Sequence, residues 1–146
     1  DVTLGDVSAT QEMPAAVGGS PNCELGTEVF FNARHYMVNG HHGPTHPHSW
    51  RVQARFSGAI GKEGILVGFA EAKQVVQRQV ERFNGTILND MPPFIEMKPT
   101  VENIAAVLYG DIKNALGSLP MRLSSVCVWE SPTNYVLYTE DGRHEV

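Results

Sequence analysis

Two runs of alternating residues, 27–38 and 46–56, carry histidine on faces that are otherwise apolar. In the first, Val29, Phe31, Ala33, His35 and Met37 share one side, opposite Glu28, Asn32 and Arg34, the period of a half-buried strand. In the second, Trp50, Val52, Ala54 and Phe56 alternate with Arg51, Gln53 and Arg55. Between them, Asn39-Gly40-His41-His42-Gly43-Pro44-Thr45 has the chemistry of a turn. Carrying the second parity backwards turns His46 and His48 inward, towards the side that also holds His35.

The rest of the chain reads as two helices and two further strands. After the glycine-rich stretch 58–64, apolar residues recur at Phe69, Ala72, Val76, Val80 and Phe83, a helical stripe that Asn84-Gly85 can end and Pro92-Pro93 keeps from continuing. Thr100 has the position of an N-cap for a second helix, with Ile104, Val107, Leu108, Ile112, Ala115 and Leu116 on one face and Gly117 near its end. Residues 124–130 and 135–138 then read as strands joined by Ser131-Pro132-Thr133-Asn134. The expected order is ββααββ in an α+β domain spanning residues 27–146. Residues 1–26, rich in Gly, Pro, Ala and Ser without a sustained period, are expected to form a flexible N-terminal extension.

At 146 residues and 42% hydrophobic content the chain can bury one core without disulfides. Its net charge of −5, with no cluster of Lys and Arg, argues against binding nucleic acid. No apolar run is long enough to span a bilayer, and no basic-then-apolar leader is visible, so no membrane partner is expected. Two cysteines make no disulfide framework, and Cys127 lies in an alternating apolar stretch where a buried thiol is the default. A cytoplasmic location is the expectation.

Five of the six histidines fall between His35 and His48. The i, i+2 spacing of His46-Pro47-His48 aims both imidazoles to one face of a strand. His35 could supply a third nitrogen across a hairpin, leaving a fourth position for water or substrate, as catalytic zinc sites do. The competing reading makes these residues surface or satisfied core histidines, and an isolated His-x-His pair would favour it. Three inward histidines favour one Zn²⁺ ion on His35, His46 and His48.

The chain also resembles the 6-pyruvoyl-tetrahydropterin and 6-carboxy-tetrahydropterin synthases. The resemblance rests on Phe31-Asn32-Ala33-Arg34-His35, His46-Pro47-His48-Ser49-Trp50-Arg51-Val52, the segment from Gly64 to Lys73, Ile87-Leu88-Asn89-Asp90, Pro99-Thr100-Val101-Glu102-Asn103 and Trp129-Glu130-Ser131-Pro132. It implies a tunnelling fold: a four-stranded antiparallel sheet with two helices on one face. Copies assemble as a homo-oligomeric barrel, a hexamer of two trimers or another ring. It also implies zinc on His35, His46 and His48, and a small-molecule, pterin-like substrate.

In such enzymes a glutamate before the last turn grips the amino-pyrimidine edge of a pterin, and Glu130 matches it. A carboxylate can accept two parallel N–H bonds from such a heterocycle, while the plainer reading is an exposed strand-end glutamate. Thr100 is the matching candidate for a supporting hydroxyl in substrate binding, although an N-cap has a structural purpose of its own. The chain departs from the family elsewhere. His42 stands where the family carries a catalytic cysteine, Asn84 and Gly85 where it carries an Asp-His pair, and Gly68 where an Asp is usual. Neither Asn84 nor Gly85 can transfer a proton, which leaves His42 and His41 as catalytic candidates for general acid or base. Solvated loop histidines are the alternative for that pair. Arg34, Arg51 and Arg55 have the outer parity, which weakens the case for a triphosphate substrate such as dihydroneopterin triphosphate. The expected function is a zinc-dependent, lyase-type enzyme with a rewired acid/base set. Its alternatives are a non-catalytic zinc and pterin-like ligand binder, and an enzyme that makes or cleaves carbon–carbon bonds in specialised metabolism.

Overall fold

The computed structural model describes residues 22–37 and 45–140. His41, His42 and residues 1–21 of the expected extension lie outside the described residues. Strands β1 (Asn22–His35) and β2 (His46–Ala59) form a long antiparallel pair in unbroken register, from Asn22 opposite Ala59 to His35 opposite His46. The alternation explains the packing: Val29, Phe31 and Ala33 of β1 and Trp50, Val52, Ala54 and Phe56 of β2 all turn into the core. β1 begins at Asn22, ahead of the Thr27 start read from the sequence. Residues 22–26 have a weak apolar face and are held by main-chain pairing to residues 55–59 of β2.

Helix α1 (Phe69–Glu81) and helix α2 (Val101–Ala115) share the core with the inner face of the sheet. α1 packs on β1, and α2 packs on β4 (Arg122–Ser131) and β5 (Asn134–Tyr138). The helical stripe of α1 is buried at Ala72, Val76 and Val80. Phe69, read as part of that stripe, is instead 71% exposed: it is the first residue of the helix and borders a groove at Gly26, Thr27 and Lys73. Thr100 caps α2, its hydroxyl accepting the Asn103 N–H at 3.0 Å. Trp50 stacks on Phe31 and donates its indole N–H to the Ala33 carbonyl, so the largest core side chain buries no unpaired polar atom.

The sheet has five strands, one more than expected. The additional strand, β3 (Thr86–Ile87), runs parallel to β1 opposite Ala33 and Arg34, so the sheet is mixed, in the order β3-β1-β2-β4-β5. Two residues carry no visible period, and the flanking contacts hold them there. Asn84 Oδ1 accepts the Asn32 N–H at 2.9 Å, and the Gly85 N–H donates to the Asn32 carbonyl at 2.6 Å. Gly85 has φ +80°, a conformation that favours glycine. A single 3₁₀ turn, Leu88–Asp90, follows. Cys127 is buried, as expected, and burial pushes its thiol above the ordinary range. Among the described residues, no helix is long and apolar enough to cross a membrane.

Candidate metal centre

Three strands end at one place. His35 is the last residue of β1, His48 lies at the start of β2, and Glu130 lies at the end of β4. Residues Trp129 and Ser131 pair with Tyr135 and Asn134, and the register shifts between them, which makes Glu130 the extra residue of a bulge. A bulge re-aims its residue out of the regular ladder. The result is that Glu130 Oε2 lies 3.2 Å from His35 Nε2 and 3.5 Å from His48 Nε2. The three donor atoms fall within 4.8 Å of one another.

The hydrogen bonding suits a cation. His35 Nδ1 lies 3.0 Å from the Pro99 carbonyl. A carbonyl only accepts, so in a neutral ring this contact places the proton on Nδ1 and turns the Nε2 lone pair to Glu130 and His48. Burial pushes the His48 imidazole below the usual histidine range; Glu130 pulls it up, and His35 and His46 push it further down. Neutral imidazoles facing a carboxylate oxygen repel unless a proton or a metal ion lies between them. Zinc–nitrogen bonds of about 2.0–2.1 Å at tetrahedral angles set donor separations of about 3.3–3.4 Å. The observed 3.2 and 3.5 Å from Glu130 to the two imidazoles lie on either side of that value, and nitrogen and carboxylate oxygen are donors that zinc takes.

The other residues expected at a site are arranged less tightly. The His46 ring centroid lies 6.4 Å from that of His35 and 6.5 Å from that of His48, and the side chain is exposed. Thr100 lies next to Pro99 in sequence, but its hydroxyl is engaged in capping α2. Arg51 lies on the face of the sheet away from the helices, held by Glu28 through paired bonds of 3.1 and 3.0 Å and stacked over Trp129 at 4.4 Å. Glu28 is held below the ordinary carboxylate range chiefly by that Arg51 bond. A cavity of about 550 Å³ runs over Phe30, Arg51, Trp129 and Pro132 and reaches His48 and Glu130. Its lining brings aromatic rings and the Arg51 guanidinium up to a carboxylate and an imidazole.

One contributor is absent from the sequence reading: the Pro99 carbonyl is a main-chain group without a residue signature. Glu130 is expected there, on the resemblance, as a substrate anchor and not as a neighbour of the histidine nitrogens, because the bulge that brings it beside them leaves no trace in the periodicity. Asn84 and Gly85, read as lost catalytic positions, hold β3 against β1.

Comparison with known proteins agrees with this architecture. The model of the 6-pyruvoyl tetrahydropterin synthase family matches residues 24–141. An Archaeoglobus fulgidus protein, provisionally named a 6-carboxy-5,6,7,8-tetrahydropterin synthase, is 31% identical over 90 residues, which is 60% of this chain and 74% of that one. The 6-carboxy-5,6,7,8-tetrahydropterin synthase of Haemophilus influenzae is 23% identical over 143 residues, covering 80% of this chain and 99% of the relative. The structure of Caenorhabditis elegans 6-pyruvoyl tetrahydropterin synthase superposes with a TM-score of 0.74 at 18% identity, over 84% of this chain and 98% of that one.

Proposed function

The chain belongs to the 6-pyruvoyl tetrahydropterin synthase family, and from that premise we propose that it is a zinc-dependent enzyme of the lyase type acting on a pterin-like small molecule. The observation that carries this reading is the approach of Glu130 Oε2 to both His35 Nε2 and His48 Nε2. His35 and His48 would hold the ion, with His46 or Glu130 completing the protein donors. When bound, zinc supplies Lewis-acid polarisation of a carbonyl or hydroxyl oxygen.

The chain's own residues set the rest of the chemistry. Glu130 turns Oε2 to the imidazoles, and its second oxygen is available to accept an N–H from the edge of a heterocycle, a charge-assisted bond. Phe30 and Pro132 would give the ring apolar contacts, and the Arg51 guanidinium over Trp129 a second planar surface. Proton transfer falls to His42 or His41, since Asn84 and Gly85 carry no titratable side chain. Self-assembly belongs to the same reading. β3 flanks β1 only at Ala33 and Arg34, and β5 is the last strand of the sheet, with Tyr135 and Leu137 exposed. Open strand edges of this kind are satisfied by pairing with further copies.

The test offers zinc-loaded protein a panel of dihydropterins, with and without a triphosphate, and of small carbonyl compounds, followed by mass spectrometry. A product that forms only with zinc, and is lost in Glu130→Gln, supports the reading. A dihydropterin that binds the zinc form and is recovered unchanged, under every condition, replaces it with that of a binding protein.

A further inference from the structure

β1 and β2 stop pairing at His35 opposite His46. Tyr36, the next residue, lies beyond the ladder, yet both its main-chain N–H and its C=O are held. Asn89 Oδ1 accepts the Tyr36 N–H at 3.0 Å, and Asn89 Nδ2 donates to the Tyr36 carbonyl at 3.0 Å. A carboxamide offers one acceptor and a donor in the geometry of a peptide group, so the Asn89 side chain pairs with Tyr36 as another strand would.

This contact is the end of a longer splint. From Asn84 to Asn89 the chain tracks β1 from Asn32 to Tyr36: Asn84 and Gly85 hold Asn32, β3 holds Ala33 and Arg34, and Asn89 holds Tyr36. At Leu88 the main chain leaves the strand for the 3₁₀ turn, and from there the Asn89 side chain takes over. The turn itself is fixed, because Leu88 is wholly buried. His35 therefore sits between β3 on one side and the Asn89 clamp on the other, with its ring pinned at Nδ1 by Pro99.

We propose that Asn89 is a positioning residue for the metal centre: by pairing with the Tyr36 main chain it fixes the end of β1, so that His35 keeps Nδ1 on the Pro99 carbonyl and presents Nε2 to the ion. The inference rests on the zinc reading above for its functional meaning, and on geometry alone for the placement of the ring. Groups that orient a ligand from outside the donor set typically contribute about 10–100-fold to metal affinity.

The experiment compares full-length wild type with Asn89→Ala, Asn89→Asp and Asn84→Ala. Asn84→Ala removes from the same splint the side-chain acceptor of the Asn32 N–H, and serves as the structural control. Zinc affinity is read by competition with a chromophoric chelator near neutral pH, the His35 tautomer by nitrogen-15 side-chain spectra of metal-free protein, and folding by urea unfolding. Asn89→Ala is expected to bind zinc about 10–100-fold more weakly and to mix the His35 tautomers, while Asn84→Ala loses stability and keeps both properties. Asn89→Asp retains the acceptor for the Tyr36 N–H and loses the donor, so it falls between wild type and Asn89→Ala; it decides the question if Asn89→Ala does not fold. Unchanged affinity and tautomer in the Asn89 variants overturn the proposal, as does equal weakening in Asn84→Ala and Asn89→Ala. A wild type that binds no zinc, but whose His35 tautomer still depends on Asn89, retires the zinc reading and keeps the positioning role.

Discussion

The inner face of the β1–β2 pair carries one alternation through two environments. From Val29 to Ala33 and from Trp50 to Phe56 the inward side chains are apolar and no more than 5% exposed. At the strand ends the same parity delivers His35 and His48, where Glu130 joins them. The apolar part is satisfied by its own packing: burial removes surface from water and each neighbour gains contacts. The donor part is not self-sufficient, because converging lone pairs require a cation or protons between them. Mutations in the first region should therefore alter folding with or without metal, and mutations in the second should alter metal binding more than folding.

The largest expected effect lies in the apolar region. Trp50→Ala should cost about 3–5 kcal/mol in urea unfolding, equally with zinc and with chelator present. A loss confined to the zinc-loaded form would show that Trp50 serves the donor cluster, which its ring edge-on to His35 and His48 touches. Next, His48→Ala should weaken zinc binding by more than about 100-fold, beyond the usual cost of an outer partner. Its chelated form should unfold within about 1 kcal/mol of chelated wild type, and a larger loss would erase the contrast between the two regions. Thr100→Ala should cost about 1 kcal/mol through the lost N-cap, with zinc affinity retained; a change in affinity would extend the donor region to α2.

The smallest effect is acid dependence at Glu28. Its folded-state carboxyl is held below the ordinary value of 4.5, first by the Arg51 hydrogen bond. Its stabilising contribution is therefore complete above that value and fades as pH falls through the lower folded value. Glu28→Gln should flatten this acid limb of stability and leave zinc binding unchanged, since Glu28 contributes no atom to the donor cluster and is held by Arg51.

What the sequence makes legible follows from what periodicity encodes. Alternation places Val29, Phe31, Trp50 and Val52 in the core and turns His35 and His48 to the same side, because a side chain's direction is fixed by its position in the strand. It says nothing of what covers that side chain: His46 has the inward parity and stands exposed at the terminal β1–β2 pair. Features that break the ladder are invisible for the same reason. The bulge at Glu130 and the two-residue β3 depend on tertiary pairing that no local period records. Asn84 and Gly85 read as a helix end and Asn89 as part of a family-like segment, and none as a support for β1, since their partners are main-chain groups of β1 more than fifty positions away.

On the proposed reading His35 and His48, with Glu130 or His46, hold one zinc ion. X-ray absorption at the zinc edge on the purified, metal-loaded protein tests this, with the stoichiometry measured on the same sample. One zinc per chain is expected in a nitrogen and oxygen shell at about 2.0–2.1 Å, with multiple-scattering features from at least two imidazoles. Protein that retains no zinc while folded, or zinc with a sulfur shell at about 2.3 Å, would contradict it.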